Sequence, residues 1–210
     1  FAATINAVLH ANATPVVVDI EEDSWCINPN EIEKAITSNT KAIVPVHLYG
    51  QPCDMDSIIS IAKKYNLKVI EDCAEAHGST YKGKKVGSYG DISCFSFYGN
   101  KVITTGEGGM CTTNNSRYDS VMRVLRDHGM SKSKKYWHDH VGYNYRMTNL
   151  QAAIGLAQLE RIDEIHKNRF ACEKLYWNLL KNNGFDFQKT IPGRGKITWL
   201  VSVTVESNRD

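Results

Sequence analysis

Residues 69–109 read VIEDCAEAHGSTYKGKKVGSYGDISCFSFYGNKVITTGEGG, and chemically distinctive residues are clustered more densely here than anywhere else in the chain. It begins within a short apolar run, residues 68–70, of the kind that forms a buried parallel strand. The run stops at the acidic pair Glu71 and Asp72. Because open α/β sheets bind ligands at the carboxyl ends of their strands, the pattern predicts a carboxylate at a ligand-binding edge.

Two further runs follow the acidic pair. Residues 92–98 alternate small and aromatic side chains and end at Lys101, which predicts a second strand whose end reaches the same edge. After the glycine-rich turn at 106–109, residues 110–113 predict a strand that returns antiparallel to it. The stretch therefore delivers an acid, a lysine and a hydroxyl to one edge of the sheet.

These three groups fit a cofactor with a basic ring nitrogen, an aldehyde and a phosphate, which is pyridoxal phosphate (PLP). A lysine can bond to the aldehyde, a carboxylate must face the pyridinium nitrogen, and Ser96 can donate to phosphate oxygens; Lys101 and Asp72 are the candidates for the first two roles. Each residue taken alone also has an ordinary role, as a solvated lysine, a helix N-cap and an alternating strand residue. The combination at one edge favours the cofactor.

The flanking sequence extends the sheet. Runs of β-branched residues predict strands at 16–20 and 41–46, and helical periodicity predicts helices starting near residue 30 and over 55–65. This strand and helix alternation is a βαβ series, which implies a parallel sheet with right-handed crossovers. The other predicted elements are helices at 1–11, 115–127 and 147–170, the last continuing with a bend to 181, and a strand at 198–205.

Composition limits the possible functions. The 210 residues are 42% hydrophobic and carry a formal charge of +2, so a core can form and nothing calls for nucleic acid. No apolar run approaches the ~18 residues of a membrane span. Six cysteines without a C-x-x-C pair favour reduced thiols in the cytoplasm over disulfides or a metal site. The start at Phe1 and the strand pattern at the end lead us to expect a fragment.

The segment GNKVITTGEGG around Lys101 resembles the lysine motif of the DegT/DnrJ/EryC1/StrS family of sugar aminotransferases. PVHLYGQPCDMD at 45–56 and GYNYRMTNLQAAIGLAQLERID at 142–163 carry the same resemblance, which is greatest to the GDP-perosamine branch. It covers residues 1 to about 169.

The resemblance implies the α/β three-layer sandwich, with a mostly parallel sheet, of the fold type I (aspartate aminotransferase-like) PLP-dependent transferases. Residues 1–170 would belong to the PLP-binding large domain, whose N-terminal part we expect to be missing. Residues 171–210 would form a linking helix and the truncated start of a small C-terminal domain.

Further site residues are implied by the same resemblance. Phe1 matches the aromatic residue that stacks on the cofactor ring, and Glu75 matches a position that faces the ring hydroxyl. Asn144 matches a residue that reaches the phosphate of the neighbouring subunit's cofactor, with Arg146 as a competing candidate for that anion. We therefore expect a homodimer with shared active sites.

The substrate pocket is less defined. The candidates to line it are the residues that suit a base, a sugar and a diphosphate: His128, Tyr136, Trp137, His138 and Arg146. Purely structural roles carry equal weight for these residues. His47 and His77 also lie near the ligand edge and are as readily explained as structural histidines.

The resemblance implies transfer of an amino group from glutamate to the 4-keto carbon of a nucleotide-linked 4-keto-6-deoxy sugar, for cell-surface polysaccharide synthesis. A dTDP- or UDP-linked keto sugar is an alternative substrate, and a non-catalytic regulator on the same fold is an alternative function. Retention of Asp72, Ser96 and Lys101 together argues against the regulator. A dinucleotide-binding domain is disfavoured because no G-x-G-x-x-G follows a strand.

Overall fold

The computed structural model describes residues 1–205. Within them, six helices, α1 to α6, span Ala2–His10, Pro29–Ala35, Met55–Lys64, Ser116–Leu125, Asn149–Leu159 and Ile162–Leu180. Nine strands in the same range, β1 to β9, span Ala42–Ile43, Lys68–Asp72, Thr80–Tyr81, Lys84–Lys85, Ile92–Ser96, Gly109–Thr112, Phe185–Phe187, Arg194–Gly195 and Val203–Val205.

The central sheet has the order β1-β2-β5-β6. Strands β1, β2 and β5 run parallel, and β6 returns antiparallel to β5. The mostly parallel sheet and the antiparallel return after the glycine turn are confirmed. Since β2 and β5 are parallel neighbours, their carboxyl ends, at Asp72 and Ser96, lie at the same edge.

The two faces of this sheet are covered differently. Along β2, Val69 and Glu71 are buried and alternate with the half-buried Ile70 and Asp72. Val69 packs in one apolar cluster with residues of α2 and α3, so these two helices cover the first face. The Asp72 side chain meets α1 on the second face, where Thr4 donates a hydrogen bond to it. The result is a layer of helix on each side of the sheet at β2.

Helix ends follow the capping residues of the sequence. Asn28 accepts a hydrogen bond at the start of α2 and is followed directly by Pro29, which suits a first helical position. Thr148 and Gln151 form a capping box at the start of α5. Asn66 has the left-handed conformation predicted after α3, with a φ of 53°.

The predicted strand at 16–20 is wrong for the described chain. Val16 and Val17 are 69% and 74% exposed, and Ile20 makes only an isolated bridge to Ile27. A β-branched run favours extended backbone but needs a neighbouring strand to form a ladder, and residues 1–205 place none beside it.

Two boundaries also differ from the prediction. The long C-terminal helix is interrupted at 160–161 and divides into α5 and α6, and α6 continues unbroken past residue 170 to Leu180. The division into domains at 170 stays a prediction. Of the strand predicted at 198–205, only β9 pairs, with β7. Thr198 and Trp199 are buried instead, because Trp199 packs with the apolar residues that follow Lys101.

Glu71 is the most extensively hydrogen-bonded carboxylate of the sheet and is fully buried. Five donors meet it at 2.6–3.2 Å: the backbone N–H groups of Gly87, Tyr89 and Gly90, the hydroxyl of Ser93, and Nε2 of His47. His47 Nδ1 accepts a hydrogen bond from the Cys53 N–H, so Nε2 carries the ring proton. Burial alone would raise the pKa of Glu71, but the bonds from His47 and the glycine N–H groups hold that pKa below its ordinary value.

Glu71→Gln tests whether this carboxylate stabilises the fold. The glutamine side chain would place an NH2 group where the carboxylate accepts hydrogen bonds, so at least one buried N–H would lose its acceptor. We therefore expect the free energy of unfolding to fall by about 1–3 kcal/mol. Urea unfolding of the intact protein measures it. Glu33→Gln, which breaks only an exposed ion pair to Lys64, is the matched control and should stay within about 0.5 kcal/mol. Equal losses in the two variants would contradict the role given to Glu71.

Candidate active site

Lys101 lies in the loop that follows β5 and is nearly buried, with 7% of its surface exposed. Its Nζ is 3.8 Å from Glu75 Oε1, 5.4 Å from the centre of the Phe1 ring and 3.9 Å from the centre of the Trp199 ring. Burial lowers the pKa of Lys101, although the charges of Glu75 and Asp72 oppose the shift. Burial therefore shifts the amine toward its neutral form, which is the nucleophilic one.

Glu75 faces Lys101 from the loop after β2 and is 2% exposed. Its Oε2 accepts a hydrogen bond from the Tyr49 N–H at 2.7 Å. Its Oε1 has no hydrogen-bond partner among the described residues, since 3.8 Å to Lys101 is too long. Burial raises the pKa of Glu75, although the hydrogen bond from the Tyr49 N–H and the positive charge of Lys101 both act to lower it. Acid and amine are thus both shifted toward their neutral forms.

Asp72 ends β2 on the face opposite to Glu71. Its Oδ2 accepts from the Thr4 hydroxyl at 2.6 Å, and its Oδ1 accepts from the Ala74 N–H at 3.0 Å. Phe1 and Thr4 are one turn apart at the start of α1, which joins the two parts of the site. Thr4 contacts Asp72 while the Phe1 ring contacts Lys101.

Ser96 lies at the end of β5, at the same edge as Asp72. Asp72 pairs in register with Cys94, and side chains two residues apart on a strand share a face, so Ser96 is on the face of Asp72. Its Oγ accepts a long hydrogen bond from the Tyr98 N–H at 3.3 Å and is partly exposed. The hydroxyl is available at the edge of the site.

The residues present fit PLP. A buried amine that is not hydrogen-bonded to the nearby acid suits a bond to an aldehyde, and the buried, unpartnered Oε1 of Glu75 suits a group on the cofactor ring. Asp72 is the carboxylate placed to pair with a pyridinium, and Ser96 offers a donor for a phosphate. The individual roles remain predictions.

Asn144 and the five substrate candidates lie in the loop between α4 and α5. Asn144 forms an isolated bridge with Asp127, and Arg146 Nη1 is 3.5 Å from a carboxylate oxygen of the same residue. His138 Nδ1 is 2.9 Å from the carbonyl oxygen of His128.

The two aromatic candidates of that loop, Tyr136 and Trp137, are 76% and 53% exposed. Within residues 1–205, no hydrogen bond or ion pair connects the candidates of this loop with Lys101, Glu75 or Asp72. Their assignment to phosphate and substrate stays a prediction.

Besides Thr4, which donates to Asp72, three residues of the site were missed from the sequence. Trp199 lies on Lys101, Arg169 contacts the carbonyl oxygens of both Trp199 and Lys101, and the Tyr49 N–H holds Glu75. Tyr49 also has the left-handed conformation, with a φ of 54°. Because Tyr49 follows the predicted strand 41–46 closely, the sequence could have indicated it as a residue of the ligand-binding edge. No sequence pattern indicated Trp199 or Arg169.

The histidines near the edge are structural in their contacts. His47, Glu71 and Cys73 place possible metal-ligating atoms within 4.8 Å of one another. Both His47 nitrogens are already hydrogen-bonded, and burial raises the pKa of the Cys73 thiol, which disfavours the thiolate. His77 is buried between Phe95 and Phe97, and burial lowers its pKa to about 4.

The chain is similar in sequence to a family of aminotransferases. Residues 1–210 match the DegT/DnrJ/EryC1/StrS aminotransferase family, and the chain belongs to this family. It is 57% identical over 164 residues to the GDP-perosamine synthase of Caulobacter vibrioides, covering 78% of this chain and 44% of that protein. The dTDP-3-amino-3,6-dideoxy-alpha-D-galactopyranose transaminase of Aneurinibacillus thermoaerophilus is 48% identical over 183 residues, covering 87% and 50%.

The fold agrees with solved members of the family. The crystal structure of S. venezuelae DesV superposes with a TM-score of 0.91 at 36% identity, covering 98% of this chain and 56% of that one. The expected large-domain fold of the sugar aminotransferases is confirmed. The chain spans about half the length of the relatives that it matches. Among the residues described, helices long and apolar enough to cross a membrane are not found.

Proposed function

We propose that the protein is a PLP-dependent aminotransferase that moves an amino group from glutamate to the 4-keto carbon of a GDP-linked 4-keto-6-deoxy sugar. One observation carries the proposal: Lys101, Glu75, Asp72 and Phe1 surround one site at the carboxyl edge of the sheet. Family membership and the 57% identity to a GDP-perosamine synthase support it.

PLP, when bound, supplies an aldehyde that accepts the amino group and a ring that withdraws electrons. Lys101 Nζ would bond to that aldehyde and, when free, would hold and move a proton at the reacting carbon. Asp72 would face the ring nitrogen and favour its protonated form, and the hydrogen bond from Thr4 fixes this carboxylate in place. Glu75, whose pKa is raised by burial, would hold a proton beside the ring oxygen.

The proposal also specifies the nucleotide and the sugar of the substrate. The similarity to the transaminase of A. thermoaerophilus keeps a dTDP-linked sugar as the alternative, and a UDP-linked one is tested in the same way. A regulator without activity is not favoured, because the amine and acids of the site are all retained. A cytoplasmic role in cell-surface polysaccharide synthesis, such as that of an O-antigen, follows from a nucleotide-sugar substrate and belongs to the proposal.

Lys101→Arg tests the role of the lysine. Arginine keeps the positive charge but stays protonated, so it cannot bond to the aldehyde or exchange a proton at neutral pH. We expect amino transfer to fall by at least ~10²–10⁴-fold, the range typical of a positioned proton-transfer group. The measurement follows turnover of a GDP-4-keto-6-deoxy sugar with glutamate, using the intact protein.

Lys84→Arg, at an exposed position, is the matched control and should retain full turnover. Both variants should unfold at the same urea concentration as the parent protein. Turnover of Lys101→Arg close to that of the parent would remove the central assignment. Turnover with a dTDP- or UDP-linked sugar alone would change the substrate and leave the chemistry in place.

We further propose a homodimer with shared sites. Asn144 and the aromatic residues of its loop are exposed and make no hydrogen bond or ion pair with Lys101 within residues 1–205, as expected if they serve the site of a partner copy. Intact protein should therefore have the mass of a dimer in light scattering. Mixing two inactive variants, Lys101→Ala and Asn144→Ala, after unfolding and refolding together should restore activity. A fully active monomer would refute the proposal.

A further inference from the structure

Trp199 is the residue in closest aromatic contact with the Lys101 amine, although 98 positions separate them in the sequence. The Lys101 Nζ lies 3.9 Å from the centre of the indole ring, well within the range of a cation–π interaction. Trp199 is 5% exposed, so water screens the contact little. The contact favours the charged amine, against the effect of burial.

Trp199 is tied to the lysine loop by one direct hydrogen bond from its indole and by two hydrogen bonds that Arg169 makes to backbone carbonyl oxygens. Trp199 Nε1 donates to the Asn100 carbonyl oxygen at 2.8 Å. Arg169, on α6, donates from Nη1 to the Trp199 carbonyl oxygen at 2.7 Å and from Nη2 to the Lys101 carbonyl oxygen at 3.2 Å. These hydrogen bonds therefore hold the Trp199 ring and the Lys101 backbone in a fixed relative position.

Tyr49 supports Trp199 from another side. The two rings stack with their centres 6.0 Å apart and their planes 19° from parallel, and the Tyr49 N–H donates to Glu75. Trp199 and Glu75 are thus held in one assembly, with the Lys101 amine at 3.9 Å from the ring and 3.8 Å from the carboxylate. The amine is held near the acid without closing into a hydrogen-bonded ion pair.

We propose that Trp199 is a positioning residue for Lys101, whose indole face holds the ammonium group whenever the lysine is not bonded to the cofactor aldehyde. The inference rests on the proposed function of Lys101. The ring keeps the freed amine within reach of the reacting carbon and away from a tight pair with Glu75. The charged or titratable groups that face Lys101 from the neighbouring segments are Asp72, Glu75, His77 and Arg169.

The test measures the pKa of Lys101 directly, in intact protein freed of cofactor. Reductive methylation with formaldehyde is followed across pH by the mass of the Lys101 peptide, normalised to exposed Lys84. In Trp199→Leu the loss of the ring should lower the midpoint by about 0.5–1.5 pH units. Trp199→Phe, which keeps a ring, should shift it by less than half as much.

Trp25→Leu is the matched control, because Trp25 also packs against Tyr49, edge-on with ring centres 6.1 Å apart, but is not the ring on the Lys101 amine. This variant should leave the Lys101 midpoint unchanged. An unchanged or raised midpoint in Trp199→Leu, or equal shifts in the Leu and Phe variants, would overturn the proposal. If Trp199→Leu does not fold, Trp199→Met is judged by the same criterion. The labelling needs no amino transfer, so failure of the proposed function is recognised separately, as absent turnover in the parent protein.

Discussion

The buried carboxylate of Glu71 is the constraint on which the site depends. Its donors come from His47 after β1, from the 87–90 turn and from β5, so one side chain joins three segments beneath the sheet edge. Such charge-assisted hydrogen bonds are stronger than neutral ones. Because adjacent strand residues point to opposite faces, fixing Glu71 on one face fixes Asp72 on the other, toward α1.

The pair formed by Lys101 and Glu75 shows a different balance. At 3.8 Å their attraction is about 4 kcal/mol at an effective dielectric constant of 20, while removing either charge from water costs several kcal/mol. Burial is the larger effect on both pKa values, and it pushes each group toward its neutral form. Glu71 stays charged because five hydrogen-bond donors take the place of the water that would solvate its carboxylate. Glu75 accepts only one hydrogen bond among the described residues. Equal burial therefore yields a structural anion and a chemically adjustable acid four residues apart.

Prediction from the sequence succeeded where the pattern was local. The parallel strands, the antiparallel return and the placement of Asp72 and Ser96 at one edge follow from short apolar runs that end in polar residues. It failed at 16–20, because a β-branched run does not reveal whether a partner strand lies beside it. Nor did the pair Glu71 and Asp72 show which carboxylate serves the fold, since this depends on donors 16 to 24 residues away. Trp199 depends on a contact that sequence periodicity does not report.

The central claim is that Lys101 is the residue that bonds to the cofactor. The most direct measurement incubates the intact protein with PLP, reduces the complex with borohydride and maps the modified peptide by mass spectrometry. We expect one stoichiometric modification, on Lys101, that is lost from the Lys101→Arg variant. Stoichiometric modification at another lysine, with Lys101 unmodified, would contradict it.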